Sequence, residues 1–197
     1  MNTEEIKQEF LEVFYDIERE GAQELLAYLE KTDFFTAPAS GRRHSNFEGG
    51  LCLHSLMVYK RYVKLLREEY GEDWQSVISQ ESVAIIALLH DICKVNTYTV
   101  EMRNVKVDGE WKQKPYYKYS DPLPYGHGEK SVYMISGFMR LTREEAMAIN
   151  WHMGGFDPRA ATNGYVIGDV FYKYPTVFLF HVADYMATYL DEKPIED

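Results

Sequence analysis

A run of apolar residues from Val83 to Val95, VAIIALLHDICKV, contains three ionisable side chains. A run as apolar as this one is typical of an element buried inside a domain. A charged side chain is stable in such a place only beside an opposite charge, hydrogen-bond partners or a metal ion. The chain must therefore fold so that other segments bring partners to His90, Asp91 and Lys94.

Apolar residues at helical spacing dominate most of the remaining sequence. Residues 3–30 predict two helices that are separated at Gly21, and an irregular loop rich in turn-forming residues follows over 32–50. Further helices are predicted at about 51–69, 82–95, 129–140, 142–153 and 175–190, and Thr142 with Glu145 forms a capping box that begins the fourth of these. We therefore expect an all-α fold, in which residues 1–32 form N-terminal helices that pack on a core domain over 33–197.

The segment from Thr97 to Tyr119 breaks the helical pattern. It alternates β-forming and polar residues around Asp108 and Gly109, which predicts a β-hairpin inserted between the helices. Two interpretations of the hairpin remain open: its aromatic side chains pack on the helices, or its surface holds a nucleobase or a phosphate. The basic and aromatic residues in question are Arg103, Lys106, Lys112, Lys114, Lys118, Tyr98, Trp111, Tyr116, Tyr117 and Tyr119.

Composition narrows the class of function. The net charge of −10 over 197 residues repels long nucleic acid except at a local basic patch, but it permits a small anionic substrate held by a metal. No window approaches the ~18 consecutive apolar residues that span a bilayer, and the acidic start lacks the features of a secretion signal. We expect a cytoplasmic protein with no membrane partner. Cys52 and Cys93 form no CxxC pair and are expected to be buried thiols.

Four ionisable residues are predicted to point into the helical core, because each shares a helical face with apolar residues: His54, His90, Asp91 and Asp184. Any one of them alone is more often a core histidine or a hydrogen-bonded carboxylate than a metal ligand. Together they offer nitrogen and oxygen ligands without a thiolate. That set suits a divalent ion of manganese, iron, cobalt, nickel, zinc or magnesium.

Two further histidines stand at predicted helix boundaries beside glycines. His127 lies between Gly126 and Gly128 ahead of a helix, and His152 ends a helix just before Gly154. Because glycine allows the backbone to approach a site closely, both histidines fit a ligand or substrate contact. A capping or loop role remains an open alternative for each.

The order His54, then the His90-Asp91 doublet, then Asp184 resembles the H…HD…D signature of the HD-domain metal-dependent phosphohydrolases, an all-α superfamily. The resemblance implies that these four residues hold one divalent ion. It also implies that His127 and His152 join Asp91 at a second ion. Residues 33–56 look most like the segment leading into the HD domain of bacterial 3′–5′ exoribonucleases and related conjugation-associated proteins, and the whole resemblance covers about 33–190.

Three departures from that family pattern affect the expectation. The sequence has no nucleic-acid-binding OB-fold ahead of the HD region, which disfavours processive RNA degradation. Cys93 stands where the family has a glycine before the lysine, a substitution interpreted as a packing change. His152 stands alone where relatives often have a pair, so the number of ions, one or two, stays open.

The function implied by the resemblance is hydrolysis of a phosphoester in a nucleotide or a short nucleic acid by metal-activated water. Asp91 and Lys94 are the expected catalytic residues, although Lys94 could instead form an ion pair with a nearby carboxylate. His181 is expected to support the site or pack in the core, since metal ligands need such support. The residues expected to contact substrate phosphate are Lys94, Arg42, Arg43 and His44, and ordinary solvated surface remains an open alternative for the last three.

Three alternatives remain open. Within the same class, the enzyme could act on a phosphomonoester or on a phosphodiester. The leading alternative of a different class is a non-catalytic module that senses nucleotides, and a degenerate module of that kind would often lack one ligand. A helical interaction protein would leave four inward acidic and imidazole groups without a purpose. The oligomeric state and the role of residues 1–32 also stay open.

Overall fold

The computed structural model describes residues 2–162 and 165–192. Short 3-10 turns occupy 74–76, 92–94 and 154–156, and a wide helical turn covers Ala187–Asp191. The helices are α1 (Thr3–Phe14), α2 (Ala22–Leu29), α3 (Gly50–Tyr70), α4 (Gln80–Leu89), α5 (His127–Ser136), α6 (Arg143–Trp151), α7 (Pro158–Thr162), α8 (Tyr165–Lys173) and α9 (Pro175–Met186), and the strands are β1 (Tyr98–Val107) and β2 (Glu110–Tyr119). The fold is thus mostly helical with an inserted hairpin, as the sequence predicts.

Local sequence signals begin and separate several of these helices. At α6 the Thr142 hydroxyl accepts a hydrogen bond from the Glu145 N–H while the Glu145 carboxylate accepts one from the Thr142 N–H, which confirms the predicted capping box. Gly21 separates α1 from α2 at a φ of +89°, and a Cβ there would lie 1.9 Å from the carbonyl oxygen of Phe138. A larger residue at this position would be both strained and overlapping.

Helix α3 lies at the centre of the molecule and contacts both α4 and α9. One apolar cluster joins α1 and α2 to α3 and α4, and a second joins α3 and α4 to α6 and α9. All seven residues from Val83 to Leu89 of α4 are buried, so the apolar run is the interior element that its composition predicts. Its end therefore delivers His90 and Asp91 to the middle of the fold.

A partly buried cluster of ionic side chains ties the turn after α1 to two helices of the core. The Arg19 guanidinium donates to the Glu145 carboxylate at 2.5 Å and to the Glu81 carboxylate at 2.9 Å. The Ser82 hydroxyl donates to Glu145 as well, at 2.7 Å. Because the Glu145 side chain is fully buried, these donors offset the cost of desolvating its charge.

The structure differs from the predicted helices mainly at their ends. The helix predicted over 82–95 stops at Leu89, because the chain turns at His90 and Asp91 into the short 92–94 turn. Helix α5 begins two residues before the predicted span 129–140 and ends four residues before its end. Helix α6 lies within the predicted span 142–153 and is shorter at both ends. Helix α9 ends at Met186, before the wide turn. Helices α7 and α8 lie in a region where no helix is predicted. Among the described residues, no helix combines the length and apolar character that a bilayer span requires.

The hairpin has the predicted turn, with Asp108 at a φ of +52° and Gly109 at +86° between paired strands. Left-handed conformations at both central residues are typical of a two-residue hairpin turn. Trp111 is 72% exposed and Tyr119 is 60% exposed, so these two aromatics do not pack fully on the helices. Tyr116 instead lies under the Arg103 guanidinium, 3.3 Å from the ring centroid.

Candidate metal centre

Residues from three helices converge on one buried point. His54 comes from the first half of α3, His90 and Asp91 follow α4, and Asp184 comes from α9. The Nε2 atom of His54 lies 3.2 Å from the Asp184 carboxylate, 3.2 Å from Nε2 of His90 and 3.6 Å from the Asp91 carboxylate. All four side chains are at most 11% exposed. The structure thus brings together the four residues that the sequence predicts to point inward.

Each histidine ring at this point uses its Nδ1 atom for a hydrogen bond directed away from the others. Nδ1 of His90 donates to the carbonyl of Ala87 at 2.9 Å, and Nδ1 of His54 lies 2.7 Å from the carboxylate of Glu192. These acceptors hold a ring proton on Nδ1, so Nε2 presents a lone pair to the shared point whenever the ring is neutral. Two imidazole nitrogens that each lie about 2.1 Å from one ion are about 3.0–3.4 Å apart. The distance of 3.2 Å between Nε2 of His54 and Nε2 of His90 falls within this range.

His152 adds a third imidazole with the same orientation. Its Nδ1 donates to the carbonyl of Ile149 at 2.7 Å, and its Nε2 points toward Asp91 at 3.5 Å. This buried Nε2 has no hydrogen-bond partner among the described residues. A buried polar atom without a partner is costly, and a bound cation would satisfy it.

His127 reaches Asp91 from the beginning of α5. Its Nε2 donates to the Asp91 carboxylate at 2.8 Å, and its side chain is 32% exposed. Gly128 allows this approach, because a Cβ there would lie 2.2 Å from the carbonyl oxygen of Asn150. Of the two histidines at helix boundaries, His127 therefore contacts Asp91 and His152 faces it.

The charges at the centre are strongly coupled. Burial opposes ionisation of Asp91 and Asp184, but nearby cationic and imidazole groups hold both pKa values below the ordinary range. Burial lowers the pKa of His90 to about 3, so this imidazole is neutral. Burial also disfavours the charged form of His54, yet the carboxylates of Glu192 and Asp184 outweigh it and raise its pKa to about 10. The carboxylates of Asp91, Asp184 and Glu192 all lie close to His54, so their negative charge favours binding of a cation at this centre.

These buried groups are close enough together to hold a metal ion. Ligand atoms of His54, His90 and Asp91 lie within 4.8 Å of one another, as do those of His90, His152 and Asp184. Imidazole nitrogens and carboxylate oxygens form a donor set for divalent ions. The chemistry of the residues present therefore fits the metal that the sequence predicts.

A cavity of about 400 Å³ opens beside this centre. His44, Arg43 and Lys94, three of the four residues expected to contact substrate phosphate, line it. Burial lowers the pKa of His44 to about 4, and its ring centroid lies 5.1 Å from that of His54. Arg42 does not line the cavity; its guanidinium donates to the Tyr116 hydroxyl of the hairpin at 2.7 Å. The loop before α3 thus sends one arginine to the cavity and one to the hairpin.

Lys94 contacts the centre directly. Its ammonium group donates to the Asp91 carboxylate at 2.6 Å, so the ion pair that the sequence left open is formed. Burial disfavours the charged form, but Asp91 outweighs it and raises the pKa of Lys94 above its ordinary value. Lys94 is therefore cationic at the cavity wall, where it could also meet an anionic ligand.

Two residues outside the predicted ligand set hold the histidines in place. Glu192 accepts from His54 and also from the Ser45 hydroxyl, so it fixes the His54 ring. Nδ1 of His181 donates to the carbonyl of His152 at 2.7 Å, a supporting contact. Glu192 is not among the residues that the sequence predicts for the site. The available signal was its position eight residues after Asp184, which is about two helical turns.

We compared the chain with protein-family models, with curated proteins and with solved structures, and none of the three comparisons found a match.

Proposed function

We propose that this protein is a metal-dependent phosphohydrolase of the HD-domain type, acting on a nucleotide or a short nucleic acid. The observation that carries the proposal is the clustering of three buried imidazoles and two carboxylates in two overlapping groups of possible ligands that share His90. Their order along the chain, H…HD…D, supports the HD assignment. His54, His90, Asp91 and Asp184 would hold one divalent ion, and His127 with Asp91 would contribute to the site of a second.

A divalent ion at this point would supply a water nucleophile of lowered pKa and would neutralise charge on phosphoryl oxygens. The chain's own residues would bind and orient the substrate. Lys94 is a partly buried cation beside the centre, and it would donate to an oxygen of a phosphate bound near Asp91. Arg43 lines the same cavity and would contact another anionic oxygen. Glu192 would keep Nε2 of His54 turned toward the centre.

The cavity supports a small substrate. Its volume of about 400 Å³ lies within the range of about 300–1,000 Å³ that small-molecule sites occupy. Aromatic rings of Phe156, Tyr185 and Tyr189 line the wall, and Phe156 and Tyr185 are stacked with centroids 6.0 Å apart. Aromatic faces beside cationic side chains favour a ligand that has both a base and a phosphate.

The test is metal analysis of the purified protein, followed by turnover of nucleotides, cyclic nucleotides and short RNA or DNA with added manganese. We expect a bound divalent metal and release of either inorganic phosphate or a nucleoside monophosphate. Asp91→Ala should abolish both, whereas Asp73→Ala, which removes an exposed carboxylate that belongs to none of the groups of possible metal ligands, should change neither. Nucleotide binding without turnover of any member of the panel would favour the sensing module, and a metal-free active protein would refute the proposal.

A further inference from the structure

Cys93 faces the metal centre from a short turn that follows Asp91. Its Sγ atom lies 3.6 Å from Nδ1 and 3.7 Å from Nε2 of His127. The Nε2 atom of the same ring lies 2.8 Å from the Asp91 carboxylate. Ligand atoms of Asp91, Cys93 and His127 therefore all lie within 4.8 Å of one another.

The separation of these atoms matches that of ligands on one ion. With a metal–sulfur distance of about 2.3 Å and a metal–nitrogen distance of about 2.0–2.1 Å, two ligands at a tetrahedral angle are about 3.5 Å apart. The Sγ–nitrogen separations exceed this value by only a small amount. Small rotations of the Cys93 and His127 side chains would bring both within coordination distance.

The backbone fixes the direction of this thiol. The Cys93 N–H donates to the Ser131 hydroxyl of α5 at 3.2 Å, which ties the turn to the helix that carries His127. Cys52 provides the contrast, because its Sγ lies 4.0 Å from the carbonyl of Ile6 within the apolar core. Of these two cysteines, only Cys93 has its sulfur beside an imidazole and a carboxylate.

A second cavity opens beside Cys93 and His127, two of these three residues. It has a volume of about 340 Å³, and Cys93, His127 and Lys94 are among the residues that line it. Asp91 and His152 line the first cavity instead, and the ligand atom of His152 lies within 4.8 Å of those of His90 and Asp184. An ion at Cys93 would therefore have an entry path and room for a water ligand.

We propose that Asp91, Cys93 and His127 form a thiolate-containing site for a second metal ion. The inference rests on the proposed function, because Asp91 would bridge both ions. Binding forms a metal–sulfur bond and releases the thiol proton to solvent. A thiolate ligand favours zinc, iron or cobalt over magnesium or manganese. The second site would therefore bind an ion of the first group in preference to one of the second.

The test is titration of the full-length protein with Co²⁺, with absorption followed for a thiolate-to-cobalt charge-transfer band. We expect two ions per chain and a charge-transfer band that develops with one of them. Cys93→Ser should remove the band and weaken binding of that ion at least about tenfold, while the other ion still binds. Cys52→Ser is the matched control and should keep both ions and the band.

A measurement on the unmutated protein guards against misfolding of the variant. X-ray absorption of the zinc-loaded chain should show a sulfur neighbour at about 2.3 Å. Binding of Co²⁺ by the wild type without the band, or retention of the band in Cys93→Ser, would overturn the thiolate site and leave the proposed function intact. Failure of the wild type to bind any ion would overturn both.

Discussion

Nε2 of His54 and Nε2 of His90 lie 3.2 Å apart, although Nδ1 of each ring is engaged by Glu192 or by the carbonyl of Ala87. When both rings are neutral, two lone pairs face each other inside the protein. Asp184 adds a carboxylate to the same space. Such an arrangement is favourable only with a cation present, either a proton on one ring or a metal ion that both rings share.

Divalent metal should therefore stabilise the folded chain. A ligand that binds only the native state at 100 times its dissociation constant adds about 2.7 kcal/mol. For a chain of this size that corresponds to a rise of about 5–10 °C in Tm. Calorimetry with manganese, cobalt, nickel and zinc, each against a chelator control, measures the shift. Identical melting curves with metal and with chelator would contradict the prediction.

Glu192 should act as a positioning residue for His54. Glu192→Gln removes the charged acceptor of Nδ1, which frees the ring to turn and makes Nε2 a weaker ligand. We expect metal affinity to fall about 10–100-fold, measured by calorimetric titration. Asp191→Asn is the matched control, because Asp191 pairs with Arg61 instead. Equal losses in the two variants would show a general effect on this segment of the chain.

Lys94 should contribute to substrate binding. Lys94→Met removes a charged donor worth about 1.5–3 kcal/mol, so KM for a phosphorylated substrate should rise about 10–100-fold. Metal content should stay at the wild-type level, since Lys94 cannot be a ligand while it is protonated. Lys64→Met, on the exposed face of α3, is the control. If Lys94→Met loses the metal with no separate change in KM, its role is to support Asp91.

The hairpin should contact the substrate through its basic strand. Replacing Lys112, Lys114 and Lys118 together with glutamine should raise KM for an oligonucleotide more than for a small phosphoester, because only the longer ligand reaches that surface. Metal content should not change. Steady-state kinetics at two salt concentrations would measure the effect. If KM is unchanged for both substrates, these lysines are solvent-exposed residues with no role in substrate binding.

The Asp157–Arg159 pair should make stability depend on pH. Hydrogen bonds from the Arg159 side chain and backbone lower the pKa of the nearly buried Asp157, although burial opposes them. A carboxylate with a lowered native pKa adds stability above its unfolded pKa, and this contribution is lost as pH falls through the native value. Asp157→Asn should thus cost about 1–2 kcal/mol at pH 7.

Urea unfolding of Asp157→Asn and the wild type between pH 7 and about pH 3 measures this difference. The two curves should converge in acid, where the wild-type carboxyl becomes protonated. Asp169→Asn, which alters an exposed side chain on α8, should differ little from the wild type throughout. A difference that persists unchanged in acid would assign the effect to packing rather than to charge.

The local features of this protein could be predicted from its sequence because they depend on neighbouring residues. The capping box at Thr142, the break at Gly21 and the turn at Asp108 and Gly109 each arise from side-chain or backbone preferences within a few positions. Helical periodicity also predicts that His54 and Asp184 point inward, since a residue's face depends only on its spacing from apolar neighbours.

Only the tertiary structure decided which of these groups meet. Helix α4 stops before His90, and the turn that follows aims Cys93 at His127, a contact between residues 34 positions apart. Glu192 reaches His54 across 138 positions. Such contacts depend on how helices cross and where they end, and no local preference specifies either. The sequence determined which groups would be buried, and the packing of α3, α4 and α9 determined that they would share one point.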